Sequence, residues 1–311
     1  MKRKMLNVPK GGYDGMKGFT IVEFLVAGLL SIIVLIAVVS SYFTSRKLND
    51  AANERLAIQQ DLRNAATLIV RDARMAGSFG CFNMSEHTEK DVVFDVEQKN
   101  RLFSLKGSSA NKLIPIAESL NIGYQGFAQV RPALIFQYGI DDVNASAETT
   151  VVSSCGVISK PGKQIPTLED AKKELKIQNS GKEQNGNIAR QRHVVNAYAV
   201  GRIAGEEGLF RFQLDDKGKW GNPQLLVKKV KRMDVRYIYV FGCPEDAGKE
   251  EQFKYTDKFD KSRDAVTPAG VEVLLDSGLD AKIAASSDNS IYAYRINATI
   301  RGGNVCANRT L

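Results

Sequence analysis

Residues Phe19 to Phe43 (FTIVEFLVAGLLSIIVLIAVVSSYF) form 25 consecutive positions without proline and with a single charge, Glu23. At about 1.5 Å per residue a helix of this length spans the roughly 30 Å hydrocarbon layer of a bilayer. A secretory signal carries an apolar stretch of about 7–15 residues ending in a small-residue cleavage site. This segment is longer and runs directly into polar helix, so it is expected to stay in the mature chain. Lys2, Arg3, Lys4, Lys10 and Lys17 precede it against one acid, Asp14, which gives 5 − 1 = +4 over residues 1–18. Basic residues on that flank predict a cytoplasmic N-terminus and place everything after Phe43 across the membrane.

The whole chain has 43 Lys and Arg against 35 Asp and Glu, a net charge of +8. Removing the N-terminal +4 leaves 8 − 4 = +4 over the remaining residues, which is not the basic stripe of a nucleic-acid protein. A composition of 43% apolar and 25% charged residues excludes a collagenous or wholly disordered chain. All four cysteines (Cys81, Cys155, Cys243, Cys306) follow the apolar segment, and none forms a Cys-x-x-Cys pair, which disfavours zinc. An even number in an oxidising compartment reads as two disulfides with three possible connectivities. The favoured one joins Cys81 to Cys155 and Cys243 to Cys306, each bridge contributing about 4 kcal/mol by loop-closure entropy.

The helical signal continues past the apolar segment. Arg46 to Ala76 lacks Gly and Pro, and Leu48, Ala52, Leu56, Leu62, Ala66, Ile69, Ala73 and Ala76 recur mostly at steps of three and four. One helix from about Phe19 to Ala76 is predicted, about 90 Å long and stopped by Gly77. It is too long for one globular core to bury, so its exposed part needs a membrane or neighbouring subunits. Beyond Cys81 the pattern changes to short β-type runs. Ala133–Tyr138, Val194–Val200, Leu209–Leu214, Leu225–Val227, Met233–Phe241, Val271–Leu275 and Ile291–Ile300 are the predicted strands. Asp215-Asp216-Lys217-Gly218 reads as a hairpin turn and Thr167–Leu175 as a short helix capped by Thr167. Polar insertions are expected near 178–191 and 249–263. The predicted fold is α+β: the amphipathic half of the long helix packed on antiparallel β-sheet, with an N-terminal stretch 1–18, the helix 19–76 and a globular part 77–311.

The junction Lys17-Gly18-Phe19-Thr20-Ile21-Val22-Glu23 resembles the class III leader boundary of type IV prepilins and type II secretion pseudopilins. In that family a basic leader ends in Gly, Phe starts the mature chain, and a Glu stands four residues later in an apolar helix. The resemblance implies cleavage after Gly18 and N-methylation of Phe19 by a membrane prepilin peptidase. It also implies that Glu23 neutralises the terminal amine of a neighbouring subunit as helices stack. A carboxylate inside hydrocarbon is costly unless paired, so the residue itself points to function. Arg71-Asp72-Ala73-Arg74-Met75-Ala76-Gly77, Gly208-Leu209-Phe210-Arg211 and Tyr292 to Arg301 are similar to segments of PilW-type minor pilins and J-type pseudopilins. Residues 92–190 carry no such resemblance. The implied role is structural: a minor type IV pilin that helps initiate pilus assembly and enters the fibre. Its partners would be the major pilin, other minor pilins of the priming complex, the inner-membrane assembly platform and the prepilin peptidase. It would sit in the inner membrane with its C-terminal domain in the periplasm, then in the fibre. The alternatives are a type II secretion pseudopilin, or a pilus subunit that binds DNA or another ligand.

Catalytic patterns are weak. His87 and His193 both read as loop or surface residues, and neither a P-loop nor a His-Glu-x-x-His motif occurs. Asp141-Asp142-Val143-Asn144 and Asp215 to Gly218 lack the later ligands of a calcium loop and read as turns. The glycines from Gly201 to Gly208 lie between two strands, the wrong context for a phosphate cradle. No enzyme activity and no cofactor are expected. Lys228, Lys229, Lys231, Arg232 and Arg236 form a basic cluster expected on a strand. It reads first as a solvated face or protected edge, and second as a strip for DNA or an acidic partner.

Overall fold

A computed structural model describes residues 18–93, 113, 115–177, 187–241, 252–259, 267–276, 294–301 and 303. The chain divides into two units, residues 1–57 and 58–311. Helix α1 runs from Ile21 to Met75. In the first unit every described residue is exposed. In the second, Ile58, Leu62, Ala65, Ile69 and Ala73 are buried along one stripe. Gly77 ends the helix with φ at +78° and donates its N–H to Gln137 O at 2.8 Å. A left-handed residue after the last turn is glycine's usual place, because a Cβ is disfavoured there.

The strands are β1 (Ser78–Phe79), β2 (Phe82–Asn83), β3 (Val92–Val93), β4 (Ile116–Ser119), β5 (Ala128–Gln129), β6 (Ala133–Ile140), β7 (Thr150–Ser153) and β8 (Ile158–Ser159). They continue through β9 (Ala189–Ile203), β10 (Glu206–Leu214), β11 (Trp220–Lys228), β12 (Arg232–Phe241), β13 (Gln252–Thr256), β14 (Gly270–Asp276) and β15 (Tyr294–Thr299). Strands β3 to β11 make one sheet with β9 at its centre, paired antiparallel to β5, β6, β7 and β10. Within it β3 and β8 pair in parallel. A second, antiparallel sheet has the order β13-β12-β14-β15. The short helix α2 (Leu168–Glu174) is capped as its sequence indicates, Thr167 Oγ1 accepting the Asp170 N–H at 3.1 Å.

The α1 stripe from Ile58 to Ala73, together with Ala76 just past the helix end, belongs to the main core. It meets Leu134, Phe136, Tyr198 and Val200 of the large sheet and Tyr237, Val271, Val273 and Ile296 of the small one. This is the α+β arrangement that the residue pattern predicts. Alternate residues of the same strands, including Ile135, Val195, Ala197, Phe210 and Phe212, face the other way into a second core. There Tyr124 and Phe127 lie over Phe212, at centroid distances of 5.4 and 4.9 Å. Burial on both faces explains why Val194–Val200 of β9 reads as an apolar run broken only by Asn196 rather than as an alternating one. The sheets are also joined by a hydrogen bond, in which the buried Tyr237 hydroxyl of β12 donates to Glu118 Oε1 of β4 at 2.6 Å.

The disulfide Cys81–Cys155, with Cα atoms 4.7 Å apart, ties the β1–β2 turn to the segment between β7 and β8. This is the expected partner choice; Cys243 and Cys306 lie outside the described residues. Two departures from the sequence reading are structural. Residues Gln252–Thr256, inside the expected insertion at 249–263, are strand β13, and Ala189–Gln191, the end of the expected 178–191 loop, already belong to β9. The alternation Gln252-Phe253-Lys254-Tyr255-Thr256 is a short strand signal set among charged residues, and the sequence reading passed over it.

Candidate functional site

The junction expected to be a leader boundary is described from Gly18 onward. Gly18 is exposed, and a Cβ built on it would meet no atom within 4 Å, so nothing in the local packing requires glycine there. Phe19 is 88% exposed. Thr20 caps α1 in a reciprocal arrangement that the sequence reading missed. The Glu23 N–H donates to Thr20 Oγ1 at 3.3 Å, and the Thr20 N–H donates to Glu23 Oε2 at 3.0 Å. This Thr-x-x-Glu capping box was visible in Thr20-Ile21-Val22-Glu23. Glu23 therefore has an intramolecular task besides any pairing with a neighbour. Farther along, Ser31 Oγ donates to Ala27 O at 2.7 Å and Thr44 Oγ1 to Ser40 O at 2.9 Å. These hydroxyls are satisfied within the helix, which leaves α1 long and apolar enough to cross a membrane.

At the other end of α1 the sequence reading passed over a residue that links the helix to three strands of the sheet. Asp72 lies on the buried stripe, three positions after Ile69, and is fully buried. Its Oδ2 accepts from the Tyr198 hydroxyl at 2.6 Å and Asn196 Nδ2 at 2.9 Å, and its Oδ1 from the Tyr138 hydroxyl at 2.9 Å. Arg71 Nη2 stands 3.1 Å from Oδ1, and Arg211 Nη2 3.4 Å from Oδ2. One carboxylate on α1 thus gathers donors from β6, β9 and β10. Burial and the adjacent Asp72 charge push the Tyr138 hydroxyl up to about 12 and raise that of Tyr198 as well. A carboxylate at an apolar-stripe position was the available signal. Both oxygens of the Asp72 carboxylate are buried and engaged, which suits an anchor.

The basic cluster does not lie on one strand. Lys228 ends β11, Lys229 has a left-handed backbone (φ +62°) in the connection with Lys231, and Arg232 and Arg236 are on β12. Lys228 pairs with Glu206 at 3.7 Å, Arg236 with Glu272 at 3.4 Å, and Arg232 with Asp234. Acids therefore offset much of the charge that the sequence displays.

His193 is not in a loop. It is in β9, buried, with Nε2 at 3.1 Å from Gln137 Oε1, and burial holds its imidazole down to about 3. His87 follows a 3-10 turn, stacks on Phe82 at 4.2 Å and lies 3.4 Å from Asp91. The aspartates of both candidate loops serve turns: Asp142 Oδ1 accepts the Asn144 N–H at 2.9 Å, and Asp215 Oδ1 the Lys219 N–H at 2.7 Å. Gly201 and Gly208 face each other across β9 and β10, where a Cβ would run into Phe127 and Val227 respectively. Among the described residues no three His, Cys, Asp or Glu side chains come together to hold a metal ion. In comparisons with protein-family models, curated proteins and solved structures, no match to this chain is found.

Proposed function

We propose that the chain is a minor type IV pilin of the PilW type, a structural subunit that helps to start pilus assembly and is built into the fibre. One observation carries the reading: the boundary Lys17-Gly18-Phe19, with Glu23 four residues on, sits at the start of a helix that is exposed throughout as far as Ala57 and apolar, apart from Glu23, as far as Phe43. A helix of this kind suits first a lipid bilayer and then a bundle of like helices. In this reading prepilin peptidase cuts after Gly18 and methylates Phe19. The helix holds the chain in the inner membrane, and the α+β domain stands in the periplasm with its exposed disulfide oxidised. Assembly then places it beside the major pilin and other minor pilins on the inner-membrane platform.

Glu23 supports the reading by chemistry. Its carboxylate is the one charge in the apolar stretch, and cleavage would create an amine four residues away on the same boundary. Replacing Gly18 with a bulky residue tests the proposal: an uncut precursor and a loss of surface pili are expected. Normal pili alongside a defect in protein secretion would move the chain to the type II secretion pseudopilins.

A further inference from the structure

Beyond Ile58, helix α1 has an open face beside its buried stripe. At about 100° per residue Arg63, Val70 and Arg74 fall within about 40° of one another, with Ala66 and Arg71 on either side of them. The three arginines are exposed. Together with Tyr294 of β15 these residues line a groove of about 610 Å³. Ala66, Val70 and Tyr294 make it apolar, and the arginines make it cationic. Among the described residues no acid lines it, and neither Arg63 nor Arg74 forms an ion pair; Arg71 pairs with Asp72.

Tyr294 also brings a strand with an open edge to this groove. β15 ends the order β13-β12-β14-β15 and pairs on one side only, with β14, in an unbroken register from Tyr294 opposite Leu275 to Thr299 opposite Gly270. Along its other edge the backbone N–H and C=O groups have no strand partner among the described residues. The end of the large sheet is different. In β11 Pro223 has no N–H to offer, and the pairing with β10 shifts register twice, so that edge is poorly suited to a further strand. β15 has neither a proline nor a shift.

We infer that the groove receives an acidic, extended peptide segment of a partner protein, which adds to β15 as a fifth strand of the small sheet and sets its carboxylates on Arg63, Arg71 and Arg74. The strand edge selects the conformation. Extended chain pairs along such an edge through its main chain, whereas an α-helix has already satisfied its own backbone groups. The arginines select the charge, because guanidinium and carboxylate form strong, paired hydrogen bonds. Side chains of an added strand alternate between the two faces of the sheet, so every second residue faces α1. Two acids with an apolar residue between them at those positions would match Arg63 and Arg74 on either side of Val70. The contact lies wholly beyond Ile58 and does not depend on the pilin reading.

The test uses the full-length chain in detergent and a short fluorescent peptide in which two glutamates flank a valine at alternate positions, with threonine elsewhere. Saturable binding that weakens as salt is raised is expected. The same peptide with its backbone N-methylated at alternate positions cannot add to a strand edge and should bind on the order of tenfold more weakly. Arg63→Glu together with Arg74→Glu should weaken binding on the order of tenfold or more. Replacing both glutamates of the peptide with lysine should restore binding to that double variant, which a misfolded chain would not allow. No saturable binding, equal binding of the N-methylated peptide, tighter binding of a helical peptide of alanine and glutamate, or indifference to the arginine reversals would each overturn the inference. So would disulfide-linked homodimers of a Val70→Cys chain that the peptide does not prevent, since they would give the groove to a second copy.

Discussion

The Tyr198 hydroxyl donates to Asp72 Oδ2 across 2.6 Å, joining the last turns of α1 to the central strand of the large sheet in a site closed to solvent. A buried carboxylate of this kind is costly by itself and stable only because several donors meet it. Asp72→Ala would leave the Tyr138 and Tyr198 hydroxyls without their acceptor, and would take from Asn196 and the Arg211 guanidinium the carboxylate they share. The expected loss is about 3–5 kcal/mol of folding stability, with Asp72→Asn less damaging because one acceptor oxygen remains. Urea unfolding of the detergent-solubilised chain measures both. A loss below about 1 kcal/mol for Asp72→Ala would deny the anchor, since surface substitutions stay within that range.

His193 gives the fold an acid sensitivity with a definite sign. Its imidazole titrates near 3 in the folded chain, against an ordinary value of 6.5. The unfolded chain therefore takes up a proton before the folded one does. The stability present above about pH 6.5 declines as pH falls toward about 3, by at most about 1.4 kcal/mol per pH unit. His193→Gln should flatten that part of the profile. An unchanged slope in the variant would assign the acid response to other groups.

Much of this architecture was legible because it rests on local periodicity. α1 shows itself by apolar and small residues at helical steps, and β6, β9, β10, β12, β14 and β15 by runs of branched and aromatic residues that both faces of the core require. The Asp215 turn and the Thr167 cap follow from short-range side-chain chemistry. What was not legible depends on distant partners. The place of Asp72 on the apolar stripe marks it as unusual, but its role shows only once Tyr138 and Asn196 stand beside it, more than sixty residues away in sequence. His193 looks like one more residue at the end of the polar stretch Asn185–Arg192 until its strand is seen to pair with β6 and β7. The strands β3, β7 and β8 are two to four residues long, too short to establish a period.

The exposed bridge Cys81–Cys155 closes a loop with a sequence separation of 74 and should contribute about 4 kcal/mol. Replacing both cysteines with serine should lower the urea midpoint accordingly, and reductant should do the same to the natural chain. A natural chain whose midpoint is unmoved by reductant, with free thiols demonstrated at both positions, would show that the bridge contributes little.

The cap that Glu23 forms with Thr20 can be separated from the amine pairing proposed for it. Glu23→Gln keeps an acceptor for the Thr20 N–H and so keeps the helix cap, while Glu23→Ala loses cap and charge together. If amine pairing in the fibre is the role, both variants should assemble fewer pili, with the domain beyond Ile58 as protease-resistant as before. Normal piliation with Glu23→Gln would reduce the role to capping, and a protease-sensitive domain would mean misfolding.

The identity of the mature N-terminus bears most directly on the reading of this chain as a pilin. Intact-mass and peptide mass spectrometry of protein from peptidase-containing cells should find a chain that begins at Phe19 with one added methyl group on its amine. An intact Met1 terminus, or cleavage inside the apolar helix near Ala37, would contradict it.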